Sequence, residues 1–305
     1  MITVAGEALM DVLVDPLGGA TALPGGAPFN VARAIASLGG DCRFLGRLSG
    51  DGFGQRLRKL LEEQHVRIAV PAPAHAPTTL AIAEFDGTGS ADYQFYLHGT
   101  SAGQLRPGDI SPEITRLSAA ITLGGLGIVM EPTASTLLWL LHQAAPETTV
   151  LLDPNCRPRA VHDPARYRAR LTGFLARADV VKVSADDLRF LGPETDPRLT
   201  ARGLLGRGPT AVLVTDGPAP VTIHTAQAER SIPVPQVSIV DTVGAGDAFV
   251  AGFLTWWSGY QLSREDLSDA SRLTQACAAA AEVAAAACTV RGAGLPPRFR
   301  WSQAP

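Results

Sequence analysis

The sequence predicts an α/β fold: a mainly parallel central sheet with helices on it, and a small β-sheet lid. Three observations predict it. Short apolar runs alternate with amphipathic helical stretches from the N-terminus on, the signature of strand–helix–strand units. The alternation breaks once, between about 66 and 97, where two strand-like runs flank Asp86-Gly87-Thr88-Gly89, a hairpin signal. The last third is helical and opens on a glycine-flanked acid, Asp247. With 305 residues, 46% hydrophobic and 18% charged, the composition is that of an ordinary soluble globular protein. No repeat or flexible linker divides it, so the predicted domain is the whole of 1–305, with the lid drawn from about 10–24 and 66–100.

The elements follow in order. Residues 2–5 and 12–14 read as strands, and 17–28 as a Gly- and Pro-containing loop. A helix follows, with apolar positions at Val31, Ala34, Ile35 and Leu38, and Gly39-Gly40 stops it. A strand over 42–48 and a helix over 51–64 complete the first units. The runs 78–85 and 91–97 form the hairpin, which is marginal alone and is expected to join strand 12–14 in a small sheet. Short apolar strands then fall at 121–123, 149–152, 180–183 and 211–215, separated by helices near 133–143, 164–176 and 186–191. Residues 220–224 and 229–232 read as an antiparallel pair, and 245–257 and 264–287 as helices.

Several function classes are excluded. A net charge of −3 argues against a nucleic acid or an anionic membrane recognised by bulk charge. Cys42, Cys156, Cys277 and Cys288 form no CxxC pair and no zinc spacing, which suits reduced thiols in the cytoplasm. The N-terminus has no basic leader, and the alanine-rich stretch 276–290 is too weakly apolar to span a bilayer. GxxxxGK[ST], a GxGxxG after a strand, and HExxH are all absent. Gly99-Thr-Ser101-Ala-Gly103 matches the GxSxG nucleophile elbow, but Gln104-Leu-Arg-Pro107-Gly108 denies it the helix that must follow.

Ligands of open α/β sheets bind beyond the C-terminal ends of the strands. That rule collects Asp11, 25–30, 153–157, 184–187, 215–217 and 241–247 at one crevice. Gly244, Ala245 and Gly246 precede the apolar helix entered through Asp247. A helix start offers unpaired N–H groups and partial positive charge to an anion. An acid there makes sense if Asp247 handles a proton while the N–H groups hold charge on a reacting phosphate. Gly25-Gly26-Ala-Pro-Phe-Asn30 brings backbone and an amide to a hydroxylated ligand, or is simply a glycine-rich helix entry. Asp11 suits two adjacent hydroxyls, or faces water. Asp153-Pro-Asn-Cys-Arg157-Pro is a ligand turn or a plain polar one. Lys182, Ser184, Asp186 and Asp187 lie at a strand-to-helix junction where carboxylates could hold Mg²⁺, or where Ser184 merely caps the helix.

These residues carry a resemblance. Asp241-Thr-Val-Gly-Ala-Gly-Asp247-Ala-Phe-Val-Ala-Gly-Phe is similar to the C-terminal signature of the ribokinase-like carbohydrate kinases. Gly25-Gly-Ala-Pro-Phe-Asn-Val-Ala-Arg-Ala-Ile-Ala-Ser-Leu-Gly39 resembles their N-terminal signature, and Gly46-Arg-Leu-Ser-Gly-Asp51-Gly-Phe-Gly54 the segment after it. The resemblance implies a three-layer α/β sandwich with a lid, and transfer of phosphate from Mg²⁺-ATP to a sugar hydroxyl. It implies Asp247 as base and Gly244, Ala245 and Gly246 as the anion hole. Asp11, Gly25, Gly26, Asn30 and Arg157 would lie at the sugar. Ser184, Thr215, Gly217, Gly244, Gly246 and Gly292 would lie at the nucleotide, with Asp187 near Mg²⁺ and Asp241 beside a monovalent cation such as K⁺. A homodimer through the lid is implied too.

The chain departs from the family in having Ser184-Ala-Asp-Asp187 for Asn-x-x-Glu, and Thr215-Asp-Gly-Pro-Ala-Pro220 for Thr-x-Gly-x-x-Gly. Gly-Gly-Ala-Pro-x-Asn, Asp153-Pro-Asn-x-Arg-Pro and Glu131-Pro132 resemble the fructokinase-like branch, so fructose is the expected sugar. The alternatives are 2-keto-3-deoxygluconate, another sugar or a nucleoside, and a non-catalytic sugar-binding regulator.

Overall fold

The computed structural model describes residues 1–15, 17–85, 91–192, 196–297 and 299–302. Its centre is a sheet whose strands, among the described residues, are β1 (Ile2–Ala5), β4 (Cys42–Leu45), β5 (Arg67–Ile68), β8 (Ala120–Gly124), β9 (Thr149–Asp153), β10 (Val180–Ser184), β11 (Ala211–Asp216), β12 (Ala219–Thr225) and β13 (Glu229–Ile232). Their spatial order is β13-β12-β11-β10-β9-β8-β1-β4-β5. All pairs from β5 to β11 are parallel, and β12 and β13 add antiparallel at one edge. Strands β1, β8 and β9 are buried along their whole length, as parallel strands covered on both faces must be.

One face is covered by α1 (Ala27–Ser37), α2 (Gly52–Glu63), α8 (Ala245–Gly259) and α9 (Ala270–Ala287), whose side chains share a core with Phe29, Phe44 and Trp257. The other core gathers the remaining main helices, α4 (Thr133–Gln143), α5 (Pro164–Leu175), α6 (Ala185–Leu191) and α7 (Pro197–Leu205), together with the short α3 (Pro112–Leu117). This makes three layers. Helices α8 and α9 approach closely because their facing positions are small: a Cβ on Gly252 would lie 2.9 Å from the Cα of Ala280. No described helix is long and apolar enough to cross a membrane.

The lid is a separate sheet, β3-β2-β6-β7, built from β2 (Leu9–Val14), β3 (Ala20–Gly25), β6 (Thr79–Phe85) and β7 (Ala91–Tyr96). Strand β2 joins β6 in parallel and β3 antiparallel. It continues the chain direction of β1 after only Gly6, Glu7 and Ala8. The base of β6 is fastened to α2 by Asp51, the N-cap of that helix. Its carboxylate accepts bonds from the Gly54 N–H at 2.8 Å, the Thr78 N–H at 2.7 Å and the Thr78 hydroxyl at 2.6 Å.

The structure corrects four sequence expectations. Residues 20–25, read as loop, are strand β3; Pro24 is tolerated because β3 is an edge strand. The strand expected over 42–48 ends at Leu45, where its pairing with β1 ends opposite Ala5. Residues 67–68 belong to the main sheet, so the lid takes less of 66–100 than expected. The helix expected over 264–287 is split by Asp269, which caps α9 through the N–H groups of Ser271 and Arg272. The turn 86–89 lies outside the described residues. Ser101 is buried in a short 3-10 turn and no long helix follows it, so the elbow motif has no elbow.

Candidate active site

The C-terminal ends of β1, β8, β9, β10 and β11 lie along one edge of the sheet, and the first turn of α8 meets β9 and β10 there, with Asp247 beside Asp153 and Gly246 against Lys182. Gly244 caps α8 in the left-handed conformation (φ 79°). Glycine is required there twice over, since a Cβ would also lie 2.6 Å from the Ala293 Cβ. Among the predicted hole residues, Ala245 turns its N–H back to the Thr242 carbonyl at 3.2 Å. The Gly246 and Asp247 N–H groups lie in the first turn, where a helix supplies no acceptor.

Asp247 is buried, and its Oδ2 accepts a bond from the Asn30 Nδ2 at 2.9 Å. Burial pushes its carboxyl up to about 7, against the pull of that bond. The Asn30 Oδ1 is buried without a partner among the described residues, an acceptor left for a hydroxyl. A polar cleft of about 140 Å³ runs along α1 past Asn30 and Arg33 to Asp247 and Gly244.

Asp11 points from β2 toward Gly25 across the β2–β3 pair, and burial raises its carboxyl to about 6. A Cβ at Gly25 would lie 1.9 Å from the Asp11 Oδ2. Gly25→Ala is therefore expected to turn the Asp11 carboxyl out of its buried place, read by NMR titration as a fall from about 6 toward the ordinary carboxylate range. Gly26 lies against the Glu7 carbonyl, 2.8 Å from a Cβ position, and precedes α1. Arg157 is exposed and donates to the carbonyls of Asn155 and Cys156, both at 3.2 Å. Its charge acts on Glu7, Asp11, Asp153 and Asp247 together and lowers the carboxyl of each.

On the other side of α8, Asp241 ties two loops together. Its Oδ1 accepts the Val243 N–H at 3.0 Å and its Oδ2 the Gly292 N–H at 2.8 Å. Those bonds, led by that from Gly292, hold its carboxyl below the usual range. Gly217 (φ 52°) and Gly292 (φ 69°) have nothing among the described residues within 4 Å of a Cβ position. Thr215 is opposite Ser184 in the β10–β11 register, its hydroxyl 3.5 Å from the Val183 carbonyl.

Asp187 is committed within the protein. Its Oδ1 accepts the Cys156 N–H at 2.6 Å, and its Oδ2 accepts the Ser184 N–H at 2.8 Å and hydroxyl at 2.7 Å. The Ser184 Oγ in turn accepts the Asp187 N–H at 3.1 Å, closing a capping box on α6. No group of three or more His, Cys, Asp or Glu suited to a metal occurs among the described residues.

Two groups went unassigned in the sequence. Glu7 is buried at the end of β1, and burial raises its carboxyl to about 7. Its Oε2 accepts the Gly127 N–H at 2.9 Å, which fixes the Gly124–Gly127 turn beside the crevice. Lys182 is buried mid-strand, with its ammonium 3.0 Å from the Asp153 Oδ2. A lysine inside the apolar run Val180-Val181-Lys182-Val183 was the available signal for the second; nothing local marked the first.

A model of the pfkB family of carbohydrate kinases matches residues 2–299. The chain belongs to this family. Among curated proteins, the family member here is 33% identical to a fructokinase of Klebsiella pneumoniae over 297 residues, covering 94% of this chain and 95% of that one. Among solved structures, this pfkB kinase resembles the fructokinase of Xylella fastidiosa with bound ATP, with a TM-score of 0.88 and 29% identity over 96% of this chain and 93% of that one. It also resembles the fructokinase of Vibrio cholerae O395 bound to fructose, ADP and calcium, with a TM-score of 0.83 and 25% identity over 96% and 94%. A double mutant of that enzyme has been solved with fructose, ADP and potassium.

Proposed function

We propose that this pfkB kinase transfers the γ-phosphoryl group of ATP to the primary hydroxyl of fructose, giving fructose 6-phosphate and ADP. The observation that carries the reading is Asp247: a buried carboxyl with its pKa near 7, on the first turn of α8 and oriented by Asn30. The sugar lies between Asp11 and Asn30, with Arg157 over it. As the sugar oxygen forms its bond to the γ-phosphorus, its proton passes to Asp247 and the bond to the β-phosphate oxygen breaks, leaving ADP. Charge on the moving group is held by the backbone N–H groups at Gly244, Gly246 and Asp247. Thr215, Gly217 and Gly292 take the nucleotide side, where the glycines leave room.

Mg²⁺ would neutralise charge between the phosphates. The donor set fits it through water and phosphate oxygens rather than by direct ligation from Asp187, whose two oxygens already accept three bonds. Asp241 differs, because the bonds it accepts come from backbone amides, which hold its carboxylate charged between the two loops. A monovalent cation fits there, and we expect K⁺ to raise kcat about tenfold over choline in the wild type and not in Asp241→Asn. Leu23 and Tyr93 are exposed on the same lid face as Asp11, and a second copy's lid would cover them. A monomer by sedimentation would remove that part of the reading.

A sugar panel with Mg²⁺-ATP, read by ADP release, tests the assignment. Fructose should give the highest kcat/KM. A higher value for 2-keto-3-deoxygluconate or a riboside would move the substrate, and no sugar-dependent ADP release would overturn the kinase reading.

A further inference from the structure

A lysine in the middle of a fully covered parallel strand costs desolvation free energy that apolar neighbours do not return. Strand β10 carries one, Lys182, with only 5% of its side chain accessible. Its position decides what it does. The ammonium donates to the Asp153 Oδ2 at 3.0 Å. It also lies against the first turn of α8: a Cβ placed on Gly246 would be 2.9 Å from the Nζ. The glycine thus does more than let a ligand approach from above; it lets a buried cation approach from below.

The charged groups acting on this ammonium come from three elements. They are Asp153 at the end of β9, Asp187 on α6 and Asp247 on α8. Burial works against the ammonium, but these carboxylates outweigh it and keep the lysine charged. Asp187 is spent on capping, and Asp153 accepts the Asn155 N–H at 3.1 Å besides the lysine. The chain has no GxxxxGK[ST] loop, so no lysine reaches a phosphate from that motif.

We propose that Lys182 is a positioning residue for phosphoryl transfer: pinned by Asp153, it sets a fixed positive charge behind the Gly246 turn, adding to the potential that the helix N-terminus offers the transferring group. The proposal rests on the kinase reading and deepens it. A point charge in a water-excluded site needs no reorganisation as charge shifts in the transition state, so it acts on kcat and leaves ground-state sugar contacts alone. The same charge favours the ionised form of Asp247.

Lys182→Met alone strands Asp153 and can fail to fold, so the test compares Asp153→Asn with Asp153→Asn/Lys182→Met. The two proteins differ only in the lysine, and the second leaves no unpaired partner. The double variant is expected to keep a Tm near that of Asp153→Asn. Its kcat should fall at least about thirtyfold below that of Asp153→Asn, with the sugar dissociation constant within about threefold. The acid limb of its pH–rate profile should move to higher pH, because a cation beside Asp247 has gone. A lysine that serves only as counter-ion predicts equal kcat and equal profiles for the two, and that result overturns the proposal.

A second measurement does not depend on the sugar. ADP with aluminium fluoride, a mimic of the transferring group, should raise the Tm of Asp153→Asn beyond ADP alone, and this extra increment should be lost in the double variant. An increment retained in the double variant counts against Lys182. Absent sugar turnover in the wild type counts instead against the kinase reading, and leaves the increment to judge the lysine.

Discussion

Asp247→Asn is expected to lower kcat by at least about a thousandfold while the sugar dissociation constant, measured by calorimetry, changes less than about threefold. The amide keeps the shape of the side chain and its contact with Asn30, and removes only the proton acceptor. The wild type should show a matching pH dependence. With a carboxyl near 7 in the unliganded protein, kcat/KM should rise through about pH 7 and level off above it. Stability gives an independent sign. The folded-state value lies above the ordinary 3.8, so the folded protein binds the proton more tightly than the unfolded chain does. This contribution is full below about pH 4 and is lost as the pH rises through about 7. Asp247→Asn should therefore melt higher than the wild type at pH 8, and the gap should close toward pH 4. A variant that loses activity and also melts lower at pH 8 would mark Asp247 as a structural residue instead.

Gly124→Ala should be the most damaging single methyl addition in the crevice wall. A Cβ at this position would lie 1.6 Å from the Asp153 carbonyl oxygen and 2.6 Å from its carbon. These are main-chain atoms of the neighbouring strand, so no rotamer change relieves the overlap; β8 and β9 must separate. The expected cost is about 4 kcal/mol or more, read as a fall in the urea midpoint. Gly217→Ala is the control. It too has a positive φ, 52°, but open space around it, and should cost only about 1 kcal/mol. Comparable losses in the two variants would show that backbone conformation, rather than strand contact, dominates at Gly124.

Local pattern carried much of this protein and failed in identifiable places. The start of α8 was legible because small residues, an acid and a long apolar run are contiguous. The main strands were legible because both of their faces are covered, which makes them continuous apolar runs. Strand β3 was not: its residues are small, one is proline, and its outward face is exposed, so it looks like a loop until β2 pairs with it. Glu7 was silent because its purpose lies 120 positions away, at the Gly127 N–H. Lys182 showed itself as an anomaly, but Asp153 and Gly246, which explain it, come from other elements. Asp187 shows the converse. An acid at a helix start fits a metal or a cap equally well in sequence, and its geometry is taken up by the cap.

Glu7 stands in the three-residue segment where the central sheet passes into the lid, and its bond to the Gly127 N–H ties that crossing to the crevice wall. Asp11 is rigidly part of β2, and any rotation of the lid about residues 6–8 carries the Asp11 carboxylate with it. With Asp11 at the sugar, as proposed, sugar affinity would then be linked to lid orientation. If the orientation that binds is a fraction f of the free protein, the apparent dissociation constant is the intrinsic one divided by f. A substitution at the junction that leaves every sugar contact intact would rescale affinity by the same factor for every sugar.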